Sequence, residues 1–224
     1  MEAAVMIGSV ENMLKLLTSG IAETFENHGF TQKKDRFFEK ADNKGRIRRY
    51  SMGLSKQKGW FSLHLTLQLL DPTLMVHVNT VLEKALRDDK FEYPESWSKS
   101  IIEKSIKTRT SNQVVAELTD WRILKESSES LQHFNERFSI WLYSFETPDE
   151  KPGWKEQLLT SVELALKWFD EVDSNEWIRS NTVYPALYLL ATEGLKQRVE
   201  EHYKAALKSL EDPHEVELFY RYLV

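Results

Sequence analysis

The sequence predicts an α+β protein in which an N-terminal helix packs on an antiparallel β-meander and a mainly helical half follows. Two observations carry this prediction. Strand-like runs cluster at residues 31–69, whereas apolar residues at helical spacing dominate from residue 127 onward. Strands that come first and helices that come later favour an α+β fold over alternating βαβ units.

The first predicted element is a helix over residues 10–28. Apolar residues recur at helical spacing between Val10 and Phe25. Ser9 precedes them as a good N-cap, and Gly29 supplies a C-terminal stop.

Three strand-like runs follow, at about 31–41, 46–55 and 60–69. The two connections between them end in Gly45 and Gly59, and glycine readily adopts the positive φ of hairpin turns. The pattern therefore predicts an antiparallel meander.

The third run, FSLHLTLQL at 61–69, alternates strictly between leucine and polar residues. A period of two places all the leucines on one strand face, which we expect to be buried beneath the first helix. The other face carries His64, Thr66 and Gln68. We interpret His64 as a solvated strand residue rather than a metal ligand or general base.

The stretch after the meander has two readings. Asp71 and Pro72 form an N-cap and first-turn signal for a helix, although a strand over 73–79 also fits the alternation. Residues 91–125 are less regular, with a hint of helix near Trp97 and of a short strand at 120–124.

Helical stripes dominate from residue 127. The first stripe consists of Leu131, Phe134, Phe138 and Leu142. The second consists of Leu158, Val162, Ala165, Phe169 and Val172. The breaker segment TPDEKPG at 147–153 separates them. This segment suggests two domains, an α+β domain at 1–146 and a helical subdomain at 147–224, or one continuous domain.

The later helices have their own boundary signals. Asp173 with Glu176 forms a candidate capping box, and Tyr184-Pro185 marks another boundary. A long amphipathic helix is predicted over 195–210, followed by a short final one.

The composition argues against most chemical sites. The chain has no cysteine, which removes disulfides, thiolate nucleophiles and cysteine metal sites. Its six histidines form no HxxxH or HExxH pair, and no nucleophile or phosphate-loop motif occurs. We therefore expect neither catalysis nor a metal or cofactor. A hydrolase or transferase assembled from scattered polar residues stays an alternative.

Hydropathy provides an expectation about the compartment. The first residues lack the basic start of a signal peptide, and the longest apolar run, YPALYLLA, is too short to span a bilayer. We expect a soluble, cytoplasmic protein without a membrane partner. Nothing in the sequence sets an oligomeric state.

The net charge of −5 hides an uneven distribution. Residues 1–30 carry −3, residues 31–60 carry +7, and residues 61–224 carry −9. The basic cluster comprises Lys33, Lys34, Arg36, Lys40, Lys44, Arg46, Arg48, Arg49, Lys56 and Lys58. We favour intramolecular pairing and protection of strand edges as its role.

Phosphate or nucleic-acid binding through the basic hairpins 31–60 is the alternative for this cluster. The residues that would carry it are Arg46, Arg48, Arg49, Lys56 and Lys58.

The acidic remainder suggests recognition of another protein, a basic one, because charge complementarity raises association rates and specificity. The residues expected to contact it are Glu146, Asp149, Glu150 and Trp154. Trp60 and Trp154 each follow a glycine turn, and we expect both to be partly exposed.

Two segments resemble a large bacterial family of domains of unknown function. They are HGFTQKKDRFFEK at 28–40, together with the hairpin that follows it, and LTDWRILKESSESLQHF at 118–134. The resemblance implies an α+β domain without an established activity, and it transfers no functional residues. Some comparable small acidic bacterial proteins neutralise toxins. The leading hypothesis is therefore a non-enzymatic interaction protein of the immunity type.

Overall fold

The computed structural model describes residues 9–142, 144–209 and 213–224, and it has the predicted α+β architecture. The helices are α1 Val10–Ser19, α2 Ala22–Asn27, α3 Pro72–Leu86, α4 Lys99–Thr110, α5 Leu131–Arg137, α6 Trp154–Val172, α7 Asn175–Asn181, α8 Tyr184–Thr192, α9 Lys196–Ser209 and α10 Pro213–Leu223. The strands are β1 Thr31–Lys33, β2 Phe37–Ala41, β3 Ile47–Gln57, β4 Trp60–Leu70, β5 Val114–Leu118 and β6 Ser144–Phe145.

The strands form a sheet in the order β1–β2–β3–β4–β5, and β6 pairs with β4. β1 and β2 pair antiparallel, as do β2 and β3. No helix among the described residues is both long and apolar enough to cross a bilayer. Leu210 and the N-terminal residues on which the signal-peptide prediction rests lie outside the described ranges.

The chain divides into two compact units. The first unit contains residues 1–69 and 117–171, and the second contains residues 70–116 and 172–224. The sequence-based division at residue 146 falls inside the first unit, and it stays a prediction.

The predicted helix over 10–28 is interrupted, and two helices, α1 and α2, replace it. The interruption falls at Gly20 and Ile21. Just before it, the Thr18 and Ser19 hydroxyls donate to the carbonyls of Leu14 and Leu16, both at 2.8 Å. Such back-bonding, followed by a glycine, weakens helix continuation. α1 packs against β3, so the predicted contact of the first helix with the meander is confirmed.

The first strand-like run is also divided. Lys34 and Asp35 both have φ of 51°, in the left-handed region, and they turn the chain back on itself. β1 therefore pairs with β2, with Thr31 opposite Glu39. Because neither residue is a glycine, the sequence pattern did not predict this turn.

The leucine face of β4 is buried as predicted. The exposed fractions of Leu63, Leu65, Leu67 and Leu69 are 2%, 3%, 0% and 0%. His64, on the opposite face, is exposed.

A network of aromatic rings fills the core of the first unit. The Tyr50 ring contacts Phe25 at a centroid distance of 5.0 Å and Trp121 at 6.3 Å. The Trp121 Nε1 donates to the Leu65 carbonyl at 2.9 Å, which fixes the indole against β4. The Tyr50 hydroxyl lies 2.8 Å from the Ser161 Oγ on α6. Burial raises the pKa of Tyr50 above its ordinary value, so its hydroxyl stays neutral.

α3 confirms the helical reading of residues 72–86 over the strand. The Asp71 carboxylate accepts from the Leu74 amide at 2.8 Å, and Pro72 occupies the first turn. At residues 120–124 the predicted strand is wrong, because Trp121–Leu124 forms a 3-10 turn. Asp120 caps this turn by accepting from the Arg122 amide at 3.1 Å.

The second unit is mainly helical, and its buried core comes from α3, α4, the start of β5 and α7 to α10. The predicted boundary at Tyr184-Pro185 is confirmed, because α8 begins at Tyr184. The α7 cap is Ser174 rather than the predicted Asp173, because the Trp177 amide donates to the Ser174 Oγ at 3.0 Å.

Candidate functional site

The three acidic residues of the predicted binding surface lie on one short segment before α6, and all are exposed. The Glu150 carboxylate accepts from the Thr147 amide at 3.0 Å, which closes a capping box over Pro148–Glu150. The Asp149 Oδ1 accepts from the Trp154 Nε1 at 3.3 Å. Glu146 precedes the turn. The segment is therefore held by its own acidic side chains.

Trp154 does not have the exposure that its glycine turn suggested. It is 7% exposed, so it cannot serve as an exposed anchor. The reason is its contact with the junction of α1 and α2: a Cβ on Gly20 would lie 3.8 Å from the Trp154 Cζ3. Trp60, in contrast, is 45% exposed, as predicted.

An open groove of about 850 Å³ adjoins this segment. One wall is α5, a second is the chain from Glu150 to Pro152, and a third is the start of α6. The lining residues are Leu131, Gln132, Asn135, Glu136, Ser139, Glu150, Lys151, Pro152 and Gln157. All belong to the first unit. Of the predicted site residues, Glu150 lines the groove.

The groove combines an apolar surface with acceptors. Leu131 is 46% exposed, and Pro152 lies on the opposite wall. Glu136 and Glu150 supply two carboxylates against the single ammonium of Lys151. The Asn135 Oδ1 is buried and receives no hydrogen bond within the described chain. Leaving such an acceptor without a donor costs about 1–3 kcal/mol.

Two contacts hold the groove walls in place. The Ser139 amide donates to the Gln157 Oε1 at 2.9 Å and so ties the end of the α5 wall to α6. Arg137, the last residue of α5, donates to both carboxylate oxygens of Glu129, at 2.7 and 2.9 Å. The Arg137 guanidinium lowers the pKa of Glu129 to about 2, so this pair stays ionised at neutral pH.

The sequence placed Leu131 in a core stripe running to Leu142, and this is wrong for Leu131. α5 ends at Arg137, so the helical period does not continue along the stripe. Phe134 and Phe138 are fully buried, as predicted, while Leu131 at the first helical position faces outward. Ser130 caps the start of the helix, and no sequence pattern indicated that the helix would end after seven residues.

The three arginines proposed for phosphate or nucleic-acid binding contact acidic residues of the same chain. Arg48 pairs with Asp170 on α6 at 2.9 Å, and Arg49 pairs with Glu39 on β2 at 2.6 Å. The Arg46 amide donates to the Asp42 carboxylate at 2.9 Å within the hairpin turn.

The two lysines of this set lie toward the other end of β3. The Lys56 Nζ lies over the Phe61 ring, 4.8 Å from its centroid. Lys58 occupies the turn between β3 and β4 with φ of 50°. The five basic residues are thus spread over two hairpins rather than gathered in one pocket.

The second unit holds a buried ion pair of its own. The Arg109 Nη2 donates to both oxygens of Glu215, at 2.5 and 2.6 Å, and the Tyr184 hydroxyl donates to the same carboxylate at 2.5 Å. Glu215 is 7% exposed. Because all three groups are engaged with one another, this cluster stabilises helix packing.

Metal binding has no candidate in the part of the chain that the structure describes, where no three His, Asp or Glu side chains converge. Comparisons of the chain with protein-family models, curated proteins and solved structures found no match.

Proposed function

We propose that this protein works by binding another protein, and that a basic segment of the partner lies in the groove between α5 and the start of α6. The observation that carries the proposal is the lining of this groove. It joins an exposed leucine, two carboxylates and an amide oxygen without a donor, at Leu131, Glu136, Glu150 and Asn135.

The chemistry of the lining defines the partner segment. The carboxylates of Glu136 and Glu150 favour lysine or arginine side chains, since arginine can bind a carboxylate with two hydrogen bonds. A backbone N–H or side-chain donor that meets Asn135 after a small rotation of its side chain would supply the missing hydrogen bond. An apolar side chain would cover Leu131 and Pro152.

The exposed acids beside the groove extend the attraction. Glu146 and Asp149 lie within a few residues of Glu150 and strengthen the negative field at this end of the first unit. Such a field raises the association rate of a basic partner and makes that rate sensitive to salt. Some comparable small acidic bacterial proteins neutralise toxins, and this proposal includes that role: the basic partner is then the toxin.

The first test reverses one charge in the groove. Immobilised wild-type protein and the variants Glu136→Lys and Leu131→Asp are incubated at low salt with extract of the native cell. We expect the wild type to retain a basic protein, and each variant to lose it by about tenfold or more, because a charge or contact at the centre of the site is removed.

The matched control is Glu26→Lys, which reverses an exposed acid on α2, away from the groove lining. It should retain the same protein as the wild type. The proposal fails if Glu136→Lys retains the partner as well as the control does, or if no protein is retained at low salt.

A further inference from the structure

The outer face of the sheet presents a second surface, distinct from the groove. The side chains on this face of β4 alternate with the buried leucines: Trp60, Ser62, His64, Thr66 and Gln68. All are exposed or half-buried. On β3 the same face carries Arg49, Ser51, Gly53 and Ser55, and on β2 it carries Phe37, which pairs with Ser51.

Three rings follow a diagonal across this face. Phe37 stands on β2, His64 lies on β4 opposite Gly53 of β3, and Trp60 lies four residues before His64. The spacing between strands and the rise per residue place the Cα of Phe37 roughly 12 Å from that of His64. The Cα of His64 lies roughly 14 Å from that of Trp60. The rings are thus far enough apart to meet separate bases of one extended strand.

Gly53 leaves the middle of this path free of a side chain. It lies within β3, and a Cβ there would be 3.7 Å from the Cβ of His64. Glycine inside a strand often marks a place where another backbone approaches closely. The His64 Nε2 lies 3.2 Å from the Ser55 Oγ of β3, and no side chain at Gly53 covers the backbone beside that contact.

Cations flank the path at both of its ends. The guanidinium groups of Arg36 and Arg49 lie 6.0 and 5.2 Å from the Phe37 ring centroid. Arg49 is paired with Glu39. Lys33 pairs with Phe37 in the β1–β2 register, and Lys58 lies in the turn just before Trp60. Neither lysine has an ion pair with a described residue.

We propose that this face binds single-stranded nucleic acid, with bases stacked on Phe37, His64 and Trp60 and phosphates near the flanking lysines. Exposed and half-buried rings along a basic sheet surface match the way proteins bind unpaired bases, because every base has a face that can stack. Duplexes hide these faces, so the surface should discriminate against them. This inference is independent of the protein-binding groove.

The test measures fluorescence anisotropy of a labelled oligouridylate with the full chain. We expect binding that weakens steeply between about 50 and about 200 mM salt. Trp60→Ala and Phe37→Ala should each weaken it by about tenfold, the loss expected for one stacked base. A duplex RNA of equal length should bind more weakly than the single strand.

Trp97→Ala is the matched control, because Trp97 is 38% exposed and belongs to the second unit rather than to this sheet face. It should bind as the wild type does. Thermal unfolding of each variant separates loss of binding from loss of folding. The proposal is overturned if the single strand does not bind at low salt, if folded Trp60→Ala binds as tightly as wild type, or if Trp97→Ala weakens binding equally.

Discussion

At the scale of single residues, the Glu129–Arg137 pair determines how firmly the end of α5 is held. Arg137 contacts both oxygens of Glu129, and its guanidinium also lies 4.9 Å from the Phe134 ring centroid. One arginine thereby joins the loop before α5 to a buried ring. The groove lining on the same short helix depends on that anchorage.

This pair should make stability depend on pH. The pKa of Glu129 falls from 4.5 to about 2 in the folded protein, so its contribution is complete above the unfolded pKa and is lost as the pH falls toward 2. Glu129→Gln should lower the free energy of unfolding at pH 7. The difference from wild type should shrink between about pH 5 and about pH 2.

Urea unfolding at a series of pH values measures that difference. Glu23→Gln, at an exposed acid on α2, serves as the control and should show little difference at any pH. A Glu129→Gln difference that stays constant down to pH 2 would contradict the assigned ion pair.

Residue-level prediction from the sequence succeeded where a repeating pattern determined burial. The leucines of β4 are buried because a strand alternates its faces, and no tertiary information is needed. Trp154 had no such pattern, and the helical pattern that contained Leu131 did not continue to its end. Their exposures depend on Gly20 at the junction of α1 and α2 and on where α5 ends, and both are properties of the assembled unit.

At the scale of elements, capping signals predicted α3 correctly, because Asp71 and Pro72 act within one turn of the helix. β5 was not predicted. Its five residues, VVAEL, lack alternation, and they are extended because they lie in the sheet beside β4. A strand whose conformation depends on its neighbour cannot be identified from its own sequence.

The link between α4 and α10 in the second unit provides the next prediction. Arg109→Met would leave Glu215, which is 7% exposed, with only the Tyr184 hydroxyl as a side-chain donor among the described contacts. We expect the free energy of unfolding to fall by about 2 kcal/mol. This loss is smaller than the loss from breaking a fully buried ion pair, because Arg109 is partly exposed.

The double variant Arg109→Met with Glu215→Leu should recover most of that loss, since it removes the unpaired carboxylate. Chemical denaturation of the wild type, both single variants and the double variant completes the cycle. Additive losses, with no recovery in the double variant, would show that the two side chains do not act as a pair.

At the scale of the whole molecule, the chain leaves and re-enters the first unit. Its residues come from 1–69 and 117–171, so α6 belongs with strands β1 to β4 although more than eighty residues separate α6 from the end of β4. Arg48 with Asp170 and Tyr50 with Ser161 are contacts of this kind. Composition and local patterns predicted the α+β class, but they could not predict which distant segments would meet.

The same long-range assembly creates the groove, whose walls come from α5, the 150–152 segment and α6. Sequence alone indicated the acidic residues Glu146, Asp149 and Glu150. The sequence did not indicate that Leu131 and Asn135 would lie beside these acids, because the groove forms only when its three walls come together in the fold. Binding of a basic partner at this groove is the central claim.

Site-specific photo-crosslinking tests that claim most directly. A benzoylphenylalanine replaces Leu131 in the groove or, as control, Ile123, which is 67% exposed in the same unit but outside the lining. After illumination in the native cell, we predict one discrete adduct with a basic protein at position 131 and none at 123. An adduct at position 123 without one at 131, or no adduct at either position, would contradict the account.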